Sequence, residues 1–154
     1  MKILMVCLGN ICRSPLAHGI METKVKELDL HWQIDSAGTG DWHKGESPDR
    51  RAIVEARKNG IDISAQRARQ ITIQDFVDFD LILTMDTSNY NNVIAMAPDE
   101  KGIAKVNMIM NYYEEGKNMS VPDPYYDGNF TLVFELLDKV TDSILSKYAK
   151  EEMV

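Results

Sequence analysis

Cys7 and Arg13 frame the stretch whose residue types can do covalent chemistry: Cys7-Leu8-Gly9-Asn10-Ile11-Cys12-Arg13-Ser14. The apolar run Ile3–Val6 leads into it, and Ser14-Pro15 follows it, a pair of the types that start helices. The pattern predicts a strand, a loop and a helix, with the loop over the helix N-terminus. Backbone N–H groups in such a loop can face an anion, and the helix dipole adds favourable potential. The Arg13 guanidinium is a fork that grips phosphoryl oxygens in pairs. Cys7 is the candidate nucleophile, although the bare spacing of Cys7 and Arg13 also fits a buried cysteine at a strand end and a surface arginine. A free thiol ionises near pH ~8.5, and a helix N-terminus, an Arg and oriented N–H groups all favour the thiolate. Ser14 can add a hydroxyl hydrogen bond to the sulfur. Attack on a phosphoryl phosphorus gives a phosphocysteine, with Arg13 on the equatorial oxygens. Gly9 permits close approach of the backbone, and Asn10 tolerates the left-handed conformation that a curling loop needs. Leu8, Ile11 and Cys12 complete the phosphate-binding set.

A phosphoester leaving group also needs a proton. Asp123 is the candidate acid, lying between Pro122 and Pro124 on a loop after the last strand. The flanking prolines stiffen the chain around its carboxyl group, though Pro-Asp-Pro reads equally as a simple turn. Tyr125 and Tyr126 follow, and Trp42 sits on a loop of its own. The three can wall a cleft for an aromatic leaving group or serve as packing anchors. His18, His31 and His43 show no metal-ligand spacing, so no metal is expected.

These residues need elements to position them. Ile3–Val6 suits a strand buried on both faces of a parallel sheet. A helix is predicted from Pro15 to about Leu28, then a strand over Trp32–Ser36. Ser47-Pro48 repeats the cap-plus-proline signal for a helix that stops at Asn59-Gly60. Thr72 to Asp75 resembles a capping box for a short helix. A third strand covers Asp80–Met85, a helix follows Asp86-Thr87-Ser88-Asn89 and ends near Pro98, and Lys105–Ile109 is the fourth strand. A polar loop runs from Asn111 to Asn129. From Phe130 to about Lys150, Val133, Phe134, Leu137, Val140, Ile144 and Tyr148 recur at helical spacing. Alternating strands and helices predict an α/β fold, a doubly wound four-stranded parallel sheet with helices on both faces. Such sheets bind ligands beyond the carboxyl ends of their strands, where the Cys7 loop would lie.

The chain has 154 residues, which suits a single domain with a real core. Its formal net charge of −7 argues against a nucleic-acid or anionic-membrane partner, so a phosphate must be held by local positive potential. The apolar segment after Lys2 is too short for a signal peptide or a membrane span. Both of the 2 cysteines lie inside the loop, so no disulfide framework is expected and the cytoplasm is the expected location.

Val6-Cys7-Leu8-Gly9-Asn10-Ile11-Cys12-Arg13-Ser14-Pro15, with Asp35-Ser36-Ala37-Gly38, Ala68-Arg69-Gln70, Met85-Asp86-Thr87-Ser88-Asn89 and Asp123-Pro124-Tyr125-Tyr126, resembles the low-molecular-weight protein tyrosine phosphatases. The match runs nearly end to end. It implies hydrolysis of phosphotyrosine and small aryl phosphates in two steps, without metal or other cofactor. By this resemblance Cys7 is the nucleophile, Arg13 the phosphate clamp, and Asp123 the acid and later the base that activates water. Asn10 and Ser14 fix the loop and stabilise the thiolate, Ser36 supports the loop, and Trp42, Tyr125 and Tyr126 line the cleft. The implied partners are phosphotyrosine-containing proteins and small oxyanions, with the chain acting as a monomer.

Gln66 departs from the pattern, standing where many relatives carry a loop-supporting His. Since Gln also donates and accepts hydrogen bonds, retuning rather than loss is expected. Ile11 favours phosphotyrosine, because similar proteins acting on phosphoarginine tend to have Thr there. The resemblance further implies that Cys12 guards Cys7 by forming a disulfide under oxidation, whereas the residue type alone fits a small packing side chain. Arsenate reductases share the loop but relay electrons through downstream cysteines, and no Cys follows Cys12. A non-catalytic phosphate-binding module would be expected to lack Cys7, Arg13 or Asp123.

Overall fold

The computed structural model describes residues 1–151. Its centre is β1 (Lys2–Cys7), whose Ile3, Leu4, Met5 and Val6 are completely buried. Burying each such side chain is worth about 1.5–3 kcal/mol, which explains a run without polar interruption. Alternate residues serve opposite faces. Ile3, Met5 and Cys7 join one apolar cluster, and Leu4 and Val6 join the other.

β1 pairs in parallel with β2 (Gln33–Gly38) on one side and β3 (Leu81–Thr84) on the other, and β3 pairs with β4 (Val106–Met108). The order β2-β1-β3-β4 makes the chain reverse its winding direction at β1. This opens a crevice at that strand's carboxyl end. Helices cover both faces. α1 (Arg13–Glu27), α2 (Arg50–Lys58) and α7 (Phe130–Tyr148) supply Leu16, Ile20, Ala52, Ala56, Val133, Leu137 and Ile144 to one cluster. α3 (Asp75–Asp78) and α4 (Thr87–Met96) supply Phe76 and Val93 to the other. α5 (Glu100–Ala104) leads into β4. Among the described residues no helix is long and apolar enough to cross a membrane.

Several boundaries differ from the sequence expectation for identifiable reasons. α1 starts at Arg13 with Cys12 as its cap residue, so Ser14 lies inside the first turn and its hydroxyl is turned to the loop. α2 starts at Arg50, not beside Ser47-Pro48, because the Asp49 carboxylate takes the Arg51 N–H and caps the helix. The strand expected over Trp32–Ser36 lies two residues further on at its carboxyl end, closing in register as Cys7 opposite Gly38. α5 has no apolar period to announce it, and is held by Asp99 accepting the Gly102 N–H at 2.7 Å. The polar loop expected over 111–129 contains α6 (Pro124–Asp127), one turn capped by Asp123.

Candidate active site

The segment from Leu8 to Cys12 curls over the start of α1, and its carbonyls are tied away from the centre. Cys7 O accepts from Thr39 N at 2.9 Å, Leu8 O from Gly40 N at 3.0 Å, and Ile11 O from Asp49 N at 2.8 Å. With these carbonyls fixed outward, the peptide units present N–H groups inward. No side chain caps α1 among the described residues, so the orphan donors of its first turn add to the same anion-binding concavity. The loop needs Gly38 beneath it: a Cβ there would lie 2.7 Å from Leu8 O and 3.1 Å from Asn10 N.

Asn10 locks this geometry. Its φ is 56°, in the left-handed region, and its side chain is buried. Oδ1 accepts the Arg69 N–H at 3.0 Å, which fixes the amide's orientation. Nδ2 therefore points at Ser14 Oγ and donates to it at 2.7 Å. Ser14 Oγ lies 3.0 Å from Cys7 Sγ and 3.5 Å from Ala37 O, and because a thiolate can only accept, the hydroxyl donates to the sulfur when Cys7 is ionised. The Asn10 N–H also donates to Cys7 Sγ at 3.3 Å. Arg69 is rigid in turn, since its guanidinium reaches both Asp35 and Asp75.

Arg13 is buried with its charge compensated. Nη1 donates to Asp86 Oδ2 at 2.8 Å and to the Val121 carbonyl at 3.0 Å, while Nη2 stands 3.6 Å from Asp123 Oδ2. Burial works against the guanidinium's charge, but Cys7, Asp86 and Asp123 outweigh it and hold its pKa above the ordinary value. Val121 also donates its N–H to Met85 O at 2.7 Å, fastening the Asp123 loop to the end of β3. Asp123 caps α6 through Oδ1, which accepts the Tyr125 N–H at 3.1 Å. Its other oxygen faces Arg13.

These groups open into one cleft of about 280 Å³, lined by Cys7, Leu8, Gly9, Ile11, Cys12 and Arg13 below and by Trp42, His43, Asp123, Tyr125 and Tyr126 around the mouth. Trp42 is 69% exposed and Tyr126 is 82% exposed, so these rings are rim walls rather than packing anchors. Trp42 lies across Gly40, where a side chain would collide with the indole. Tyr125 and Tyr126 meet edge to face, with centroids 5.3 Å apart. Both thiols are free, and burial pushes that of Cys12 up, with Asp49 adding to the effect.

Two residues expected to support the loop stand behind it. Ser36 Oγ lies 3.1 Å from His18 Nδ1 on α1, and Gln66 Nε2 donates to Pro15 O at 3.1 Å. Both brace α1 rather than the loop itself. The Gln66 Oε1 atom is buried with no hydrogen-bond partner among the described residues.

Sequence reasoning gave no role to Asp86 or Arg69, which it quoted only within motifs, nor to His43 or the Asp49–Arg51 pair. Asp86 also caps α4, accepting the Asn89 N–H at 2.7 Å. Its place just past β3, beside the strand carrying Cys7, was the signal for a second role.

Residues 2–153 match the family model for low molecular weight phosphotyrosine protein phosphatase. The chain is 37% identical over 155 residues to the low molecular weight protein-tyrosine-phosphatase YfkJ of Bacillus subtilis, covering 99% of each. It is 38% identical over 150 residues to the low molecular weight phosphotyrosine protein phosphatase of Sus scrofa, covering 95% of this chain and 94% of that one. The crystal structure of YfkJ superposes with a TM-score of 0.92 over 99% of this chain and 96% of YfkJ, at 36% identity. That of the Drosophila arginine phosphatase DARP superposes with a TM-score of 0.90 at 30% identity, over 98% of this chain and 99% of that one. Family model, coverage and fold agree, and the chain belongs to the low molecular weight phosphotyrosine protein phosphatase family.

Proposed function

We propose that the chain hydrolyses phosphotyrosine in protein substrates, and small aryl phosphates, through a phosphocysteine on Cys7. The observation that carries this reading is the convergence on one cleft of Cys7 Sγ, the Arg13 guanidinium and Asp123 Oδ2, the last two 3.6 Å apart. The phosphoryl group sits in the loop, its oxygens held by inward N–H groups of residues 8 to 14 and by Arg13. The Cys7 thiolate attacks phosphorus, the phosphorus–oxygen ester bond breaks, and Asp123 gives its proton to the leaving phenolate. Water then attacks the phosphocysteine while the Asp123 carboxylate takes its proton, releasing inorganic phosphate and the thiolate. Ser14 and Asn10 donate to the sulfur when it leaves as it did before it attacked.

The rim favours an aryl group. Trp42 and Tyr125 can stack on the substrate ring, with about 0.5–1.5 kcal/mol available for an aromatic pair beyond area burial. Ile11 presents an apolar wall where a guanidino group would need polar partners.

The test is turnover of phosphotyrosine peptides, phosphoarginine and alkyl phosphates by wild type, Cys7→Ser and Asp123→Asn. Cys7→Ser is expected to abolish turnover. Asp123→Asn is expected to lose on the order of 10²–10⁴ in rate with poor leaving groups and much less with good ones. Full activity in Cys7→Ser overturns the mechanism, and faster turnover of phosphoarginine overturns the substrate assignment.

A further inference from the structure

A chain of contacts through the start of α2 joins the phosphate loop to the loop that carries the acid. The Asp49 N–H donates to Ile11 O at 2.8 Å, which seats α2 against the phosphate loop. Asp49 Oδ1 and Oδ2 receive Arg51 Nε and Nη2 at 3.1 and 3.0 Å, a bidentate pair that aims the guanidinium away from α2. From there Nη2 donates to the Tyr125 carbonyl at 3.2 Å. The guanidinium also lies over two rings, 5.6 Å from the centroid of Tyr125 and 4.8 Å from that of Phe130. Tyr125 is the residue whose N–H holds Asp123 Oδ1.

α6 needs such a hold. It is a single turn of 4 residues, too short to be stable alone, with Tyr125 about half exposed and Tyr126 largely so. Val121 fastens the segment on the side of β3, and within α6 Pro124 is the one buried residue. We propose that Arg51 is a positioning residue for the acid, holding α6 so that Asp123 keeps Oδ1 on the Tyr125 N–H and turns Oδ2 to the leaving oxygen. Arg51 is not among the residues that line the cleft. Its effect passes through the backbone of Tyr125 to one carboxyl group. The inference rests on the reading of Asp123 as general acid.

The experiment measures kcat/KM for p-nitrophenyl phosphate, a good leaving group, and phenyl phosphate, a poor one, in wild type, Arg51→Ala, Asp123→Asn and the double variant. Inhibition by inorganic phosphate is measured in each. A misplacement of about 1 Å in a reacting group costs up to about 10²-fold. Arg51→Ala is therefore expected to slow phenyl phosphate about tenfold or more and p-nitrophenyl phosphate less than about threefold. Phosphate inhibition is expected to hold, and the Arg51 effect to vanish in the Asp123→Asn background. An equal loss for both esters, weakened phosphate inhibition, or an undiminished Arg51 effect beside Asp123→Asn overturns the proposal. If Asp123→Asn discriminates between the esters and Arg51→Ala does not, only the Arg51 role falls. If Asp123→Asn does not discriminate, the acid assignment falls and this role with it.

Discussion

Replacing Asn10 by Asp tests the direction of the hydrogen bonds that serve the nucleophile. The two side chains have nearly the same shape, and Oδ1 can still accept the Arg69 N–H, 3.0 Å away in the wild type. The other terminal atom changes from a donor to an acceptor. At 2.7 Å from Ser14 Oγ it would draw the serine proton toward itself and away from Cys7 Sγ. The sulfur then loses its hydroxyl donor. A hydrogen bond to a charged group is worth about 1.5–3 kcal/mol, and each ~1.36 kcal/mol is tenfold in rate. The expected fall in kcat/KM for p-nitrophenyl phosphate is on the order of 10–100-fold. Initial rates at one pH measure it, with a urea transition on the same sample to show that the protein is folded. Ser14→Ala removes the same proton without adding a charge and should fall in the same range. Wild-type rates in either variant would refute the argument, because the serine proton would not then be what the sulfur depends on.

Gly38→Ala places a Cβ 2.7 Å from Leu8 O, a contact only backbone movement can relieve. Overpacking of this kind costs about 1–3 kcal/mol, so a lower urea midpoint and weaker phosphate inhibition are expected together. An unchanged phosphate affinity would mean that the loop does not rest on β2. The Arg51 fork, more than the opposing effect of burial, holds the Asp49 carboxyl below its usual range. Because the folded pKa lies below the unfolded one, its contribution to stability is complete above about pH 4 and is lost as pH falls through the folded value. The gap in urea midpoint between wild type and Asp49→Asn should therefore narrow on acidification below that point. A gap independent of pH would assign the pair no electrostatic role.

The loop at residues 7–14 and the strand before it were legible because they are local. An apolar run this short, ended by a loop with Gly and Asn, suits a strand buried on both faces better than a helix, and Cys, Gly, Asn, Arg and Ser each bring a property that does not depend on distant residues. The Val133–Ile144 period was legible for the same reason. What lay out of reach was everything decided by two segments meeting. Ser14-Pro15 and Ser47-Pro48 look alike as dipeptides, yet neither serine caps its helix. One hydroxyl is claimed by Cys7 and Asn10, and Asp49 outcompetes the other serine for the helix N-terminus.

The parallel α/β sheet could be read from the chain alone, as could Cys7, Arg13 and Asp123 as candidates for nucleophile, phosphate clamp and acid, since these readings rest on residue type and short spacing. Only the tertiary structure decided which carboxylates meet Arg13, and that Arg69 sets Asn10 through its backbone while Arg51 reaches Tyr125. Separations of 73 residues between Arg13 and Asp86, 59 between Asn10 and Arg69, and 74 between Arg51 and Tyr125 are closed by the sheet order and the docking of helices upon it. A hydrogen bond across such a separation leaves no periodic trace in the chain, because either partner would read the same had the other been absent.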